Sequence, residues 1–179
     1  MHEIAVIHGR FQILHNDHLK YLMAGFERCE HLVIGITNPD PYLTKYESSD
    51  PLRNTPKNNP LSYFQRYQLI KAALTEHQIK PQRYSIVPFP INFPKLYKYY
   101  VPTDALFLLT IYDEWGKDKL TKFQNLGLKT EVMWEKDLAE KGITGTDVRA
   151  KISNNDNWET LVPKSVAELL IQWEIKKNL

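Results

Sequence analysis

The chain has 179 residues, 42% of them apolar and 25% charged, with a formal net charge of +2 and one cysteine, Cys29. That length fits one domain able to bury a core without cross-links, and the near-neutral charge argues against a general nucleic-acid coat or an electrostatic membrane binder. A lone cysteine excludes an intramolecular disulfide and a thiolate-rich metal site, and no apolar run reaches membrane-spanning length, so a cytoplasmic protein is expected.

Residues 3–8 (EIAVIH) are a β-branched apolar run, the pattern of a buried parallel strand. Gly9 follows at once, then Leu19, Leu22, Met23 and Phe26 at helical spacing, with Asn16 and Asp17 as caps at the helix start and Cys29 near its end. Residues 31–36 (HLVIGI) form a second buried run, completing a βαβ unit with a right-handed crossover. From Thr37 to Pro60 the chain turns polar and holds five prolines. A loop of this kind inside a compact domain suits a lid.

Helical spacing resumes with Tyr63, Tyr67, Ile70 and Leu74. Residues 84–89 and 104–109 predict strands three and four, and 128–133 a shorter strand five. A helix is expected over Asp118–Leu126, ended by Gly127. The C-terminal part reads as helices: a short one over Thr144–Ile152, and a last one opened by Pro163. The last one buries Val166, Leu169, Leu170 and Trp173 and ends on Lys176 and Lys177. The expected architecture is α/β, a Rossmann-like doubly wound parallel sheet of about five strands with C-terminal helices, forming a single domain over residues 1–179.

Chemistry concentrates at two places. The first is HGRFQILHNDH, from His8 to His18, where strand one meets helix one. In an open α/β sheet ligands bind beyond the carboxyl ends of the strands. Free N–H groups at a helix start attract anions. His15 and His18 share one side of the first helical turn, so with Arg10 they can surround a triphosphate. Two histidines at this spacing also suit a metal, but no third ligand is spaced to complete a site, and no metal ligands are assigned. The second place is ITGTDVR, from Ile143 to Arg149. Thr144 can cap a helix, Gly145 admits close backbone approach, Thr146 offers a hydroxyl and an N–H, and Arg149 returns one turn later to the same anion. Alone, that is a common helix start.

GRFQxxHxxH resembles the H-x-G-H signature of the nucleotidyltransferase superfamily, and its GRFQ form is most similar to archaeal-type nicotinamide mononucleotide adenylyltransferases. ITGTDVR resembles that family's second signature, S-[SG]-T-x-[IV]-R. NPLSYFQR, ending at Arg66, resembles its second helix, and residues 155–170 its C-terminal helices. The resemblance implies that His8, Gly9, Arg10, Phe11, Gln12, His15, His18, Ile143, Thr144, Gly145, Thr146 and Arg149 bind the nucleotide, with Arg10, His15, His18 and Arg149 catalytic and Mg²⁺ assisting ATP. It also implies ATP and a small phosphorylated acceptor as partners, and leaves a homo-oligomer open. One departure is Asp17, where the signature has Gly; a carboxylate there either repels the nucleotide or points away from it.

On the acceptor side the family carries an Asn and a Trp after strand three that recognise nicotinamide. Tyr97 falls at the Trp place and Pro94 at the Asn place, so Thr37, Asn38, Asn92 and Tyr97 are the candidate acceptor contacts. After strand four, LTIYDEW replaces the family's Ser-Gly-Asn element, and Tyr112 and Trp115 there suit packing or stacking equally. The first reading is AMP transfer to nicotinamide or nicotinate mononucleotide, which belongs to NAD biosynthesis. The second is adenylyl or cytidylyl transfer to another phosphate- or phosphonate-bearing acceptor, and the third a catalytically weak nucleotide-binding regulator.

Overall fold

Val6 sits at the centre of the sheet, in register with Val33 on one side and Phe107 on the other. Its neighbours Ala5 and Ile7 are equally inaccessible, so the run is apolar without alternation, as a strand covered on both faces requires. In the computed structural model, which describes residues 1–44, 55–140 and 142–179, five parallel strands take the order β3-β2-β1-β4-β5. They are β1 (His2–Gly9), β2 (Cys29–Thr37), β3 (Tyr84–Phe89), β4 (Leu106–Ile111) and β5 (Lys129–Glu135). This is the expected doubly wound α/β sheet.

One face carries α1 (Asn16–Phe26), α2 (Tyr63–Glu76), α4 (Gly145–Asn154) and α5 (Lys164–Gln172). Ala5, Ile7, Leu32 and Ile34 meet Leu22, Leu69, Ile70, Val148 and Leu170 there in one core. The other face carries α3 (Glu114–Asn125) and the 3₁₀ segment Pro94–Tyr99, which bury Phe89, Phe107 and Phe123 in a smaller aromatic core. Ser62 opens α2 and Thr144 opens α4, each through a capping box, with Gln65 and Asp147 as the reciprocal partners.

Several local expectations are corrected. His15, rather than Asn16 or Asp17, caps α1, because its ring nitrogen reaches the His18 N–H. Cys29 begins β2, where its buried thiol donates to the Gly25 carbonyl. Strand four runs to Ile111 and strand five to Glu135, both beyond their expected ends. α3 starts at Glu114, ahead of the expected Asp118, because the Asp113 carboxylate accepts the Gly116 N–H at 2.9 Å. Lys176 and Lys177 lie in a separate 3₁₀ turn, Ile175–Asn178, after Glu174 breaks α5 with φ 48°. Of the Thr37–Pro60 loop, positions 45–54 lie outside the described residues, and the lid reading falls there. The described end, Pro56–Asn58, forms a 3₁₀ turn. Among the described residues no helix is long and apolar enough to cross a membrane.

Candidate active site

Strand order reverses between β1 and β4, and a cleft of about 340 Å³ opens there at the carboxyl ends of the strands. Its wall brings together His8, Gly9, Arg10, Phe11, Gln12, His15 and His18 from the first motif with Ile143, Thr144, Gly145 and Thr146 from the second. Two stretches far apart in sequence thus form one concave surface.

His15 serves two ends. Its Nδ1 accepts the His18 N–H at 3.3 Å as the α1 cap, which leaves the ring proton on Nε2. The His15 and His18 rings stack with centroids 3.7 Å apart, and Phe11 packs edge-on against His18 at 5.0 Å. Both imidazoles are thereby held in fixed orientation on the cleft wall. His8 lies deeper, 4% exposed, against the rings of Phe89 and Phe123.

The second motif meets the first backbone to backbone. A Cβ built on Gly145 would lie 2.4 Å from the Gln12 carbonyl oxygen, so no side chain fits between them. Thr144 and Asp147 satisfy one another at the α4 start. The Gly145 and Thr146 N–H groups belong to the unpaired first turn of that helix, at the positive end of its dipole. That end and the two histidines line the same cleft.

Two buried arginines hold this geometry from behind. Arg149 is 6% exposed and lies off the cleft wall; its guanidinium donates to the Gln12 carbonyl, to Asn58 Oδ1 at 2.7 Å and to Thr146 Oγ1 at 3.0 Å. Burial pushes its pKa down. The structure places Arg149 behind the cleft lining, with three of its N–H groups on protein acceptors that fix the cradle. Arg66 on α2 is 1% exposed and donates to the carbonyls of Arg10, Thr37, Asn38, Pro39 and Ser62. Burial lowers its pKa to about 10, leaving it charged at neutral pH. Gln12 closes the arrangement by accepting the Leu61 N–H and donating to the Leu61 carbonyl, both at 2.9 Å. Its side chain is a strut between the first motif and the segment before α2.

Asp17 lines the cleft without presenting a bare charge. Its carboxylate accepts the Ile143 N–H at 2.7 Å and pairs with Lys20 at 2.8 Å. Burial pushes its pKa up, but the Lys20 and Ile143 hydrogen bonds outweigh that and hold it below 3.8.

The acceptor contacts expected from sequence divide. Thr37 lines the cleft. Asn38 is buried behind it at φ 49°, its carbonyl taken by Arg66. Tyr97 is 2% exposed, packs on Phe89 with centroids 4.6 Å apart and donates to the Ile91 carbonyl. Its ring is core, and stacking on a ligand is corrected to packing. Asn92, beside Ile91, is likewise not among the cleft residues. The rest of the wall is built instead by Thr110, Tyr112, Asp113, Trp115, Gly116, Lys119 and Trp134, from the ends of β4 and β5 and the start of α3. Trp134 Nε1 donates to the Tyr112 hydroxyl at 2.6 Å, and Lys119 Nζ lies 4.4 Å above the Trp115 ring. Tyr112 and Trp115 are legible in the sequence as candidates, whereas Lys119 and Trp134 are not. The rule that ligands gather beyond strand ends was the signal for both.

Imidazole donors, an arginine and a helix start converging on the switch point of a parallel sheet define an enzyme of the nucleotidyltransferase class. The model of the cytidylyltransferase-like family matches residues 6–151, and the chain belongs to that family. It is 47% identical over 174 residues to a phosphonoformate cytidylyltransferase of Streptomyces viridochromogenes, covering 97% of this chain and 94% of that one. It is 29% identical over 166 residues to a nicotinamide-nucleotide adenylyltransferase of Thermococcus kodakarensis, covering 90% and 79%. A bifunctional NMN adenylyltransferase/ADP ribose pyrophosphatase of Francisella tularensis, solved with AMP and a manganese ion, superimposes with a TM-score of 0.68 at 16% identity. That alignment covers 100% of this chain and 52% of the other, so this chain spans about half of that protein.

Proposed function

We propose that this chain transfers CMP from CTP to a small phosphonate acceptor with release of pyrophosphate. The observation that carries the reading is the 47% identity to a phosphonoformate cytidylyltransferase across nearly all of both chains, against 29% to an archaeal adenylyltransferase. The second reading from sequence thus replaces the first. Burial of Tyr97 supports the same choice, because nothing aromatic at that position reaches the cleft to stack on nicotinamide.

In this reaction a phosphonate oxygen attacks the α-phosphorus, a P–O–P bond forms, and the bond to the β-phosphate breaks in line. The acceptor oxygen is already anionic at neutral pH, so no general base is needed; catalysis rests on position and charge. His15 Nε2–H and His18 meet the charge building on the α- and β-phosphates. Arg10 supplies a cation at the same wall. The Gly145 and Thr146 amides grip the triphosphate from the other side. Arg149 and Arg66 position these groups.

Mg²⁺ fits here as part of the nucleotide substrate. Among the described residues no three His, Cys, Asp or Glu side chains converge to cage an ion, and the cleft carboxylates Asp17 and Asp113 already accept backbone N–H groups. Magnesium characteristically keeps its waters and binds substrate phosphates in such sites, where it neutralises their charge.

The test is pyrophosphate release from CTP, ATP, UTP and GTP, each paired with phosphonoformate, nicotinamide mononucleotide and nicotinate mononucleotide. CTP with phosphonoformate is expected to be the fastest pair. ATP with either mononucleotide as the fastest pair would overturn the reading in favour of a NAD-forming enzyme.

A further inference from the structure

Asp17 stands where the family signature has Gly, and the folded chain gives its carboxylate a partner 126 residues away. Of its two bonds, the ion pair to Lys20 is exposed, with Lys20 76% accessible, and such pairs contribute little. The bond to the Ile143 N–H is part-buried and charge-assisted, the stronger kind. Gly142 makes room for it: a Cβ there would fall 2.2 Å from Asp17 Oδ2. Ile143 directly precedes Thr144, the cap of the helix start at which Gly145 and Thr146 line the cleft.

We propose that Asp17 is a positioning residue whose carboxylate clasps Ile143 and so sets where the Gly145 and Thr146 amides meet the nucleotide phosphates. Arg149 fixes the same helix start from the rear, through Gln12. Asp17 fixes it from the front, directly through α1. A carboxylate in the phosphate cleft is thereby tolerated, because its charge faces an amide and an ammonium rather than the nucleotide. The proposal builds on the nucleotidyl-transfer reading but makes a claim that stands apart from turnover.

Four variants and two readouts test it. Asp17→Ala should raise the KM for the nucleotide about tenfold or more, the loss expected for one charge-assisted bond, with the acceptor KM little changed. Asp17→Asn, whose amide oxygen still accepts the Ile143 N–H, should restore most of that loss. Lys20→Ala should stay within about twofold of the parent. Gly142→Ala, which keeps the carboxylate but pushes it aside, should reproduce the Asp17→Ala rise. Hydrogen exchange at the Ile143 amide should quicken in Asp17→Ala and Gly142→Ala and stay slow in Lys20→Ala. The proposal is overturned if Asp17→Asn is as impaired as Asp17→Ala, or if Ile143 stays protected in Asp17→Ala. If no NTP and acceptor pair turns over, the proposed function fails while the exchange measurement still decides the clasp.

Discussion

The Arg149 guanidinium donates to the Gln12 carbonyl, 137 residues away in the chain, and so fastens the start of α4 to the turn after β1. The same fork holds Asn58 and Thr146, which makes one side chain the joint between three segments. Lysine keeps the charge but has a single nitrogen and cannot span three acceptors. Arg149→Lys should therefore lose about 2 kcal/mol of stability and about 10²-fold in kcat/KM. Denaturant melts and steady-state kinetics check both; parent-like values in each would show that the joint is dispensable.

His15 caps α1 and has the proposed role of phosphate donor, and substitution can separate the two. Asparagine is among the best N-cap residues, so His15→Asn should melt within about 0.5 kcal/mol of the parent while kcat falls about 10²–10³-fold. His15→Ala should lose the same activity and about 1 kcal/mol of stability besides. Equal stability of the two variants would mean that the Nδ1 bond does not cap α1 in solution.

Helix propensity alone would favour alanine over glycine at position 145 by about 1 kcal/mol. Contact decides the opposite sign, since the added methyl meets a backbone carbonyl 2.4 Å away that cannot move aside cheaply. Gly145→Ala should destabilise the fold by about 1–3 kcal/mol and depress turnover. Gly127→Ala serves as the control: it sits at φ +72° with open space around it, and it should cost about 1 kcal/mol through backbone strain with turnover unchanged.

Acid should loosen the junction of α2 and α5. The Glu76 carboxylate accepts the Ser165 N–H at 2.8 Å at the start of α5. Burial pushes its pKa up, yet the Ser165 bonds outweigh that and bring it below 4.5. A carboxylate with a depressed folded pKa contributes stability above its unfolded value, and loses it as pH falls through the folded one. Melting temperatures taken from about pH 6 down to about pH 3 should fall more steeply for the parent than for Glu76→Gln. Parallel curves would sink the assignment.

Much of this was legible in the residues. Apolar runs without alternation marked β1 and β2 as strands covered on both faces, and glycine, arginine and paired histidines after the first run marked one wall of the cleft. Where reading failed, the missing information was three-dimensional. Arg66 has a backbone carbonyl at every contact, and no side-chain pattern records that. The same holds for Asp17 and the Ile143 amide. Tyr97 resembled a stacking residue because an aromatic reads alike in a core and in a pocket, and only Phe89 and Phe123 settle which it is. Gly116 disguised the beginning of α3 by standing in its first turn, pressed against the Ile111 backbone.

Arg66 carries one more implication. Among the described residues it faces carbonyl dipoles and no carboxylate, so its positive charge lies in the floor behind Arg10 and Thr37 with backbone carbonyls as its partners. Mobile ions damp exposed charges within about 10 Å at 0.1 M ionic strength but reach an enclosed one poorly. A nucleotide held in the cleft as proposed would therefore feel an attraction from this charge that added salt weakens little.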